Sequence, residues 1–431
     1  MTTFLHICFL LLIGVVVVLL TYTIRHYAFT INRLFGRQRH PYVDVTVAHW
    51  PTVTVLVPAH NEELVIAHIL DALLAGDYPT ESLTIVPVND RSTDGTQGIV
   101  DEYARQHPSL IKPLHRTGGL SGKAAALREA SELATGEIII VFDADYVPGA
   151  GLLRQLVAPF FDPQVGAVMG RVVPLNAGHN LLTRMLDLER SAGYQVDQQA
   201  RMNLRLVPQY GGTVGGVRSA ALASVGGWRT DTLTEDTDLT YRLLLCGWEM
   251  VYQNRSECYE EVPEQWPVRV RQIARWAEGH NQAFRDHAGA VLRGEMRGVL
   301  QRIDAVLLLG VYFVAPLTLL GWMLALTLWY AGVGVSGWMG ILIVASFTTV
   351  GNFAAFFEVA AAARLDGHNR RVRLLPFLVF GFLVSQMAVV RAMFTFKRRT
   401  AGSDGPRTVE WNKTPRYRGI ECGVQRGGTV P

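Results

Sequence analysis

Residues 137–148, EIIIVFDADYVP, decide the fold, because a short apolar run ends there in two carboxylates, Asp143 and Asp145. The run Ile-Ile-Ile-Val-Phe needs burial on both faces, which is typical of a strand within a parallel sheet. Side chains two positions apart point the same way, so we expect both carboxylates on one side and Ala144 turned away. A D-x-D pair also occurs in solvated turns, but parallel sheets bind ligands beyond the carboxyl ends of their strands. The stretch therefore predicts a site for Mg²⁺ or Mn²⁺ bridging a diphosphate.

Two strand–helix units precede this strand. Residues 52–63, TVTVLVPAHNEE, predict a strand stopped by Pro58 and then a helix that runs to Leu74. Residues 83–96, LTIVPVNDRSTDGT, predict a second strand, a turn and a helix to about Gln106. Strands and helices that alternate at this interval indicate parallel βαβ units in an α/β fold.

The two turns that follow carry candidate binding residues. Asp90 ends the second strand, where it is suited either to capping the next helix or to binding the base or ribose of a nucleotide. Lys123 follows Gly118, Gly119 and Gly122 at the start of another predicted helix. A flexible turn and a lysine at a helix amino terminus favour a diphosphate, although the Walker A spacing is absent and an ordinary exposed lysine is the alternative.

A glycine-rich stretch, residues 210–228, precedes a helix that begins with Glu235 and Asp236. Glycine allows backbone to approach a ligand or another chain closely. Acidic residues in a first helical turn are explained by the helix dipole alone. The dipole does not require two adjacent acids so close behind a glycine-rich loop.

A later helical segment, RVRQIARWAEGHNQ, places Gln272, Arg275 and Trp276 on one turn. A solvated amphipathic helix would explain the arginine and the glutamine. The tryptophan beside them suggests a flat surface on which a sugar ring stacks.

The formal charge of +3 and the lack of interleaved basic and aromatic residues exclude a nucleic-acid partner. Residues 4–24 form an apolar run long enough to cross a bilayer, too long for a signal peptide and without a cleavage site, so an anchor is predicted. Further apolar stretches occupy residues 305–330, 338–363 and 374–396. The four cysteines have no metal or disulfide spacing, which favours a reduced compartment.

The charge next to the first apolar run predicts orientation. Four arginines follow the run, at positions 25, 33, 37 and 39, and by the positive-inside rule they place the α/β domain in the cytoplasm. The predicted parts, in chain order, are a transmembrane helix (1–25), a basic juxtamembrane linker (26–50), the cytoplasmic α/β domain (51–285), an interfacial amphipathic helix (286–304), about three transmembrane helices (305–396) and a flexible cytoplasmic tail (397–431).

The predicted topology contains a conflict. Four full spans with an outside amino terminus place the tail outside, whereas the basic residues 397–399 favour the inside. One apolar segment is therefore expected to be re-entrant or interfacial, or another to cross twice, and Pro316 makes residues 305–330 the candidate.

In order, the motifs VPAHNEE, VNDRSTDGT, GKAAAL, FDAD, GGTVGGVR, TED and Q-x-x-R-W resemble those of membrane-embedded processive family 2 glycosyltransferases. That group includes the chitooligosaccharide, poly-N-acetylglucosamine, hyaluronan and cellulose synthases. The resemblance covers the chain from Val53 through the last apolar stretch. It implies a GT-A-like, mixed and mainly parallel sheet domain for residues 51–285, inserted between transmembrane helices.

The resemblance also implies a role for each motif residue in binding UDP-sugar or in transfer. Asp236 would be the general base for the acceptor hydroxyl, and Glu235 a shaping residue beside it. The implied substrate-binding set is Pro58 and Glu62, Asp90 on the uracil, Lys123 on the diphosphate, Asp143 near the nucleotide, and Gln272, Arg275 and Trp276 on the diphosphate and the acceptor. Asp145 would ligate Mg²⁺ or Mn²⁺. Asn89 departs from the pattern, since many relatives have an acid there.

The resemblance implies an inverting, processive polymerase of the plasma (inner) membrane that extends a β-linked polysaccharide from a UDP-sugar donor. The compact chain and few spans resemble the synthases of N-acetylglucosamine polymers more than the larger cellulose enzymes, so a polymer containing N-acetylglucosamine is expected. The partners of this polymerase would be the growing polysaccharide acceptor, membrane lipid and accessory export or regulatory subunits. Two alternatives stay open: a single-transfer glycosyltransferase acting on a membrane lipid, and a transporter or scaffold without catalysis. The retained acids argue against the scaffold.

Overall fold

The computed structural model describes residues 3–40, 49–294, 296, 298–334, 337–347 and 349–400. Its eight strands are β1 Val53–Ala59, β2 Leu83–Asp90, β3 Leu114–Arg116, β4 Ile138–Val141, β5 Val147–Pro148, β6 Val165–Pro174, β7 Gly215–Arg218 and β8 Glu249–Glu260. They form one mixed sheet in the order β3-β2-β1-β4-β7-β6-β8-β5. The predicted GT-A-like α/β fold is confirmed.

The helices of the α/β domain are α2 Ile66–Leu74, α3 Thr96–Gln106, α4 Lys123–Leu133, α5 Leu152–Val157, α6 Leu181–Ser191, α7 Gln199–Leu204, α8 Ser219–Ser224, α9 Glu235–Leu245 and α10 Trp266–Arg293. A π-helical segment, residues 192–198, joins α6 to α7. The remaining helices are α1 Thr3–Phe35, α11 Val299–Leu309, α12 Val314–Tyr330, α13 Trp338–Phe347, α14 Thr349–Leu365 and α15 Leu375–Thr400.

The centre of the sheet is buried on both faces, as the apolar run in β4 predicts. Ile138 and Ile140 belong to one core cluster, and Ile139 and Val141 belong to the cluster on the opposite face. Strand β1 pairs in parallel with both β2 and β4. These three strands therefore end at the same edge of the sheet, and the turns that follow them lie together.

Two predicted segment boundaries differ from the structure. Helix α1 continues to Phe35, ten residues into the predicted linker, because Phe29 packs against Ala192 and Val196 of the π-helical segment. Residues 286–304 do not form one helix: α10 ends at Arg293, Gly294 adopts a left-handed φ of 95°, and α11 begins at Val299.

Among the residues that the structure describes, three helical segments are long and apolar enough to cross a membrane: Thr3–Phe35, Val311–Tyr330 and Arg370–Met393. The predicted span at 338–363 is divided between the ten-residue α13 and the 17-residue α14. The predicted span at 305–330, for which Pro316 indicated an irregularity, is divided as well, between the end of α11, a 3-10 turn at Val311–Phe313 and α12. Helix α15 extends to Thr400, and the rest of the predicted tail lies outside the described residues.

Candidate active site

A cavity of about 1170 Å³ lies between the carboxyl edge of the sheet, helix α10 and the apolar helices. Ten of the predicted site residues line it: Pro58, Glu62, Lys123, Asp143, Asp145, Glu235, Asp236, Gln272, Arg275 and Trp276. The strands β1 and β4, the amino termini of α4 and α9, and helix α10 bring them together. Asp90 is the predicted residue that does not line this cavity.

Lys123 connects the D-x-D turn to the acids of α9. Its Nζ lies 2.5 Å from Asp143 Oδ1 and 3.9 Å from Glu235 Oε1. Burial alone favours the neutral amine, but the negative charges of Asp143 and Glu235 outweigh it and raise the pKa of Lys123 above its ordinary value. Lys123 is therefore a fixed positive charge at the amino terminus of α4, where the helix dipole also favours an anion.

Asp143 and Asp145 follow β4 in a tight turn, in which the Tyr146 N–H donates to the Asp143 carbonyl at 3.1 Å. The Asp143 N–H donates to Thr213 Oγ1 at 3.1 Å, which ties this turn to the glycine-rich segment before β7. Both carboxylates line the cavity, and their oxygens suit a hard divalent cation. Within the described residues, no group of three or more His, Cys, Asp or Glu side chains is placed to hold a metal ion. A cation here would complete its coordination with diphosphate and water oxygens, as Mg²⁺ and Mn²⁺ commonly do.

Asp236 and Glu235 project into the cavity from the first turn of α9. The Thr237 N–H donates to Asp236 Oδ1 at 2.7 Å and orients the carboxylate. Burial raises the pKa of Asp236 above its ordinary value, against this hydrogen bond and the positive charges of Lys123 and Arg275, which lower it. Burial also raises the pKa of Glu235, again against Lys123. A carboxylate with a raised pKa is a stronger base than one in water.

Two glycines allow the chain to pack closely around Asp236. Gly212 has a φ of +72°, and a Cβ built there would lie 3.0 Å from Asp236 Cβ. A Cβ at Gly279 of α10 would lie 2.3 Å from Thr234 Cγ2, at the residue just before α9. Helix α10 can therefore touch the amino terminus of α9 only with glycine at position 279. The sequence analysis missed this contact, since a single glycine within a helix does not reveal what it packs against.

Asp90 is buried, and two arginines donate hydrogen bonds to its carboxylate. Arg116 Nη1 donates to Asp90 Oδ1 at 2.7 Å, and Arg91 Nε donates to the same oxygen at 3.0 Å. Arg116 also donates to the Leu120 carbonyl at 2.8 Å, and the Gly122 N–H donates to Asp90 Oδ2 at 3.3 Å. Asp90 and Arg116 thus hold the glycine-containing loop that leads to Lys123. The sequence analysis missed Arg116, which lies outside every motif.

Trp276 is not an open surface in this structure. The guanidinium carbons of Arg190 and Arg269 lie 5.4 and 5.2 Å from its ring centroid. Arg269 Nη1 also donates to Gln272 Oε1 at 2.8 Å. The residues predicted to hold an acceptor sugar are therefore held by arginines. A stacked sugar ring would have to share the indole with cation–π contacts.

His280 lies one turn after Trp276 on α10 and lines the cavity. The centroid of its ring lies 5.0 Å from that of the Tyr312 ring. Burial lowers its pKa to about 4, so the imidazole is neutral at physiological pH. Its Nδ1 lies 3.2 Å from the Trp276 carbonyl. Because a carbonyl only accepts, Nδ1 carries the proton in this contact.

The end of the cavity away from the sheet is formed by the apolar helices. Its apolar lining residues are Leu19 of α1, Val314, Ala315, Leu319 and Trp322 of α12, Ala355, Phe356 and Val359 of α14, and Leu378, Phe382 and Leu383 of α15. One cavity therefore joins the carboxylates of the sheet edge to aliphatic and aromatic side chains of the apolar helices.

Buried ion pairs hold these two ends together. Arg25 of α1 donates to Asp197 at 3.0 Å and to Asp304 of α11 at 3.1 Å. Arg201 of α7 lies 3.1 Å from Asp197 and 3.5 Å from Asp304. Two arginines and two aspartates thus connect α1, the π-helical segment, α7 and α11 beside the cavity.

A mixed sheet with a D-x-D turn, a buried lysine and a buried acid pair around one cavity defines a GT-A-like glycosyltransferase. The sequence profile of the family described as "Glycosyltransferase like family 2" matches residues 51–279, and the chain belongs to this family.

Two relatives have names that agree with this family. The chain is 31% identical over 388 residues to a beta-monoglucosyldiacylglycerol synthase of Nostoc sp. (strain PCC 7120), covering 88% of this chain and 80% of that protein. It is 34% identical over 232 residues to the probable glycosyltransferase YdaM of Bacillus subtilis (strain 168), covering 53% of this chain and 55% of YdaM. The alignment thus spans only about half of YdaM.

Among solved structures, the mannosyltransferase PcManGT of Pyrobaculum calidifontis, in complex with GDP-Man and Mn²⁺, superposes with a TM-score of 0.57. The match covers 83% of this chain and 97% of that one at 24% identity, so it supports the fold.

The prediction of a processive polysaccharide synthase is wrong. Two relatives that match 88% of the chain are beta-monoglucosyldiacylglycerol synthases, whose name describes a lipid carrying one glucose. The motifs misled the prediction because the donor half of the site, to which most of them belong, does not depend on the acceptor.

Proposed function

We propose that this protein transfers one hexose from a nucleotide sugar to the hydroxyl of a membrane lipid, with a diacylglycerol as the acceptor. The observation that carries the proposal is the shared cavity, in which Asp236 and Lys123 lie at one end and apolar side chains of α12 and α15 at the other. A polysaccharide needs polar partners for its many hydroxyls along its path. Acyl chains need the apolar lining that this cavity has.

The donor would bind at the sheet edge. Lys123 and Arg275 supply positive charge for the diphosphate, as a leaving group gains negative charge during transfer. Asp143 and Asp145 would hold a divalent cation, Mg²⁺ or Mn²⁺, which when bound neutralises diphosphate charge. The Mn²⁺ in the PcManGT complex supports this assignment for the fold. We keep UDP-glucose as the first donor to test, because the lipid-transferring relatives are named as glucosyl enzymes.

Asp236 would remove the proton from the acceptor hydroxyl. Its raised pKa, its orientation by the Thr237 N–H and its place in the cavity all suit a general base. Glu235 and Lys123 set the charge around it. A single displacement inverts the anomeric carbon, so an α-linked donor would give a β-linked glycolipid, consistent with the names of the relatives.

We further propose that the α/β domain lies on the cytoplasmic side and that α15 lies along the membrane surface. The α14–α15 connection is held to the α/β domain by Asp366, which accepts from Arg171 at 2.7 Å and from Ser191 at 2.5 Å. Phe380 of α15 lies edge-on to Trp266 of α10 at 5.3 Å, so the two helices start together.

The two helices also stay together further along, because Ala388 and Val389 of α15 pack against Ile273 and Ala277 of α10. Helix α15 therefore follows a helix of the α/β domain for about three turns. We infer from this packing that the α14–α15 connection and the basic residues 397–399 lie on the cytoplasmic side, which the positive-inside rule also favours.

The proposed function is tested with purified protein in nanodiscs that contain or lack diacylglycerol. With Mn²⁺ or Mg²⁺ and UDP-glucose, we expect UDP release that depends on diacylglycerol, together with a lipid that carries glucose. The Asp236→Asn variant is the matched control and should release little UDP. Equal UDP release with and without the lipid, or a product free of lipid, would refute the proposal.

A further inference from the structure

Helix α6 turns one face toward the cavity, and that face changes in character along the helix. Leu182, Met185 and Leu186 line the cavity in the first part of α6, and Glu189 and Arg190 line it at the end. These positions recur every three or four residues, so they form one continuous stripe. The stripe spans about 12 Å along the helix axis. Helix α6 thus offers the cavity an apolar surface that ends in charged groups.

The apolar part of this stripe adjoins the membrane end of the cavity. A Cβ built at Gly381 of α15 would lie 3.1 Å from Met185 Cε and 3.8 Å from a ring carbon of Trp266. Trp266 also packs against the cluster that contains Leu182 and Leu186. An acyl chain beside α15 is therefore within reach of these side chains.

The charged end of the stripe adjoins the transfer site. The guanidinium carbon of Arg190 lies 5.4 Å from the ring centroid of Trp276 on α10. Gly279, three residues further along α10, lies so close to α9 that a Cβ there would be 2.3 Å from Thr234 Cγ2. Asp236, the proposed base, is two residues after Thr234. Arg190 therefore contacts a short stretch of α10 that also contacts the start of α9.

Arg190 is held at one of its three guanidinium nitrogens. Its Nε donates to Glu260 Oε1 at 2.6 Å, and the other oxygen of that carboxylate accepts from the Tyr146 hydroxyl at 2.8 Å. Among the described residues the two Nη nitrogens of Arg190 have no hydrogen-bond partner, and neither nitrogen is buried. The side chain lines the cavity and is 24% exposed. Its Nη groups can therefore donate to a ligand in the cavity.

Arg269 approaches the same indole, but both of its Nη nitrogens have protein partners. Nη1 donates to Gln272 Oε1 at 2.8 Å, Nη2 donates to Glu189, and 6% of the side chain is exposed. The two arginines are matched by two carboxylates, those of Glu189 and Glu260. Because this cluster has no net charge, a neutral ligand with hydrogen-bond acceptors fits it better than a diphosphate does.

We propose that Arg190 donates to the ester carbonyl next to the free hydroxyl of the acceptor lipid, so that the enzyme selects an ester-linked lipid. This inference rests on the proposed function. An ester carbonyl is a neutral acceptor, and in a diacylglycerol one ester is attached to the glycerol carbon adjacent to the carbon that carries the hydroxyl. The acyl chains would follow Leu182 and Met185 toward α15, and the hydroxyl would face Asp236. Arg190 would then be a specificity-determining residue, since it does not touch the reacting atoms.

The test compares transfer to a diacylglycerol with transfer to a dialkylglycerol of the same chain length, in which ethers replace the esters. The full chain is used in nanodiscs with UDP-glucose and Mn²⁺. We expect the wild-type kcat/KM to favour the diacylglycerol by about 10-fold, because the ether lacks the carbonyl that accepts from the charged guanidinium. Arg190→Met should reduce this preference to less than about 2-fold and leave the KM for UDP-glucose close to wild type.

Two further variants separate selection from a structural role. Arg269→Met removes the other cation on the indole and should slow transfer to both lipids by a similar factor, so that the preference is kept. Arg184→Met is the matched control on α6, because Arg184 is exposed and is not part of the cavity lining. This variant should leave both rates and the preference unchanged.

A preference that persists in folded Arg190→Met protein would overturn the inference. A raised KM for UDP-glucose without a change in preference would also overturn it, because Arg190 would then bind the diphosphate. If Arg190→Met does not fold, the wild-type protein decides: a preference for the ester lipid supports the inference, and equal transfer to the two lipids contradicts it. Failure of the proposed function is distinguishable, since wild-type protein would then form no glycolipid from either lipid.

Discussion

The two ends of the cavity differ in how their residues are held. At the sheet edge, the Lys123 ammonium lies within 4 Å of both the Asp143 and the Glu235 carboxylates, at the ends of strands and helices. At the membrane end, the side chains that α12 and α15 contribute to the lining are mostly aliphatic and aromatic. The first arrangement suits a nucleotide diphosphate, which is common to many glycosyltransferases. On the proposed function, the second arrangement binds the acyl chains of the acceptor, so this end of the cavity would distinguish a lipid enzyme from a polysaccharide synthase.

The largest expected effect tests the chemistry at the sheet edge, which is the polar end of the cavity. Asp236→Asn should reduce transfer by about 10³-fold, because the amide cannot take the hydroxyl proton. Binding of UDP, measured by calorimetry, should stay close to wild type, since the substitution removes no positive charge from the diphosphate site. Near-normal transfer by this variant would remove Asp236 from the role of base.

The next effect tests whether the two ends depend on the buried ion pairs between them. Asp304→Ala leaves Arg25 and Arg201 with one carboxylate fewer and should lower the free energy of unfolding by about 3–5 kcal/mol. Asp231→Ala is the control: it breaks the pair with Arg229, in which the Asp231 side chain is 64% exposed, and should cost less than about 1 kcal/mol. Equal losses in thermal unfolding of the two variants would show that the buried pairs do not hold the ends together.

A smaller effect tests the positive charge of Lys123 at the polar end. Lys123→Met should raise the donor KM about 10-fold or more, because the diphosphate loses a charged partner. It should also move the acid side of the pH–rate profile to higher pH. Transfer needs Asp236 in its ionised form, and burial already raises the pKa of Asp236. The positive charge of Lys123 lowers that pKa, so the pKa of Asp236 should rise further when Lys123 is removed.

The exposed Lys112 provides the comparison for this experiment. Lys112→Met should leave both the donor KM and the pH profile unchanged. A Lys123→Met profile that stays in place or shifts to lower pH would contradict the assigned interaction between Lys123 and Asp236.

A further prediction sharpens the contact between α10 and the polar end. Gly279→Ala should lower kcat by about 10-fold, because its Cβ would lie 2.3 Å from Thr234 Cγ2 and displace the start of α9. Gly289→Ala on the same helix should be nearly neutral, since its Cβ would meet only Arg293 Nη1, at 3.8 Å. Similar kcat values for the two variants would mean that the position of α9 tolerates this displacement.

The smallest expected effect concerns the membrane end. A tag after residue 431 should be accessible from the same side as the α/β domain if α15, as proposed, follows α10 along the membrane surface. A site-specific label on the tag, applied to intact and to opened cells, measures this directly. Labelling of the tag in intact cells would show that α15 crosses the membrane. Transfer activity should be unchanged in either case.

The sequence predicted the polar end well because its residues are encoded locally. The β4 run, its D-x-D pair and the lysine after a glycine turn each occupy one short segment, and parallel pairing of β1, β2 and β4 brings the segments together. Arg116 and Gly279 were missed, because their roles depend on contacts between segments that are distant in the sequence. The acceptor was mistaken for a similar reason: apolar helices have the same composition whether they face lipid, a polysaccharide or each other.

The account is tested most directly by the number of sugars in the product. Purified protein in diacylglycerol nanodiscs is incubated with a large excess of UDP-glucose and divalent cation until UDP release stops, and the lipids are then analysed by mass spectrometry. We predict one hexose per lipid, with UDP released in equal amount to the glycolipid formed. A ladder of longer products, or a polymer not attached to lipid, would contradict single transfer to a membrane lipid.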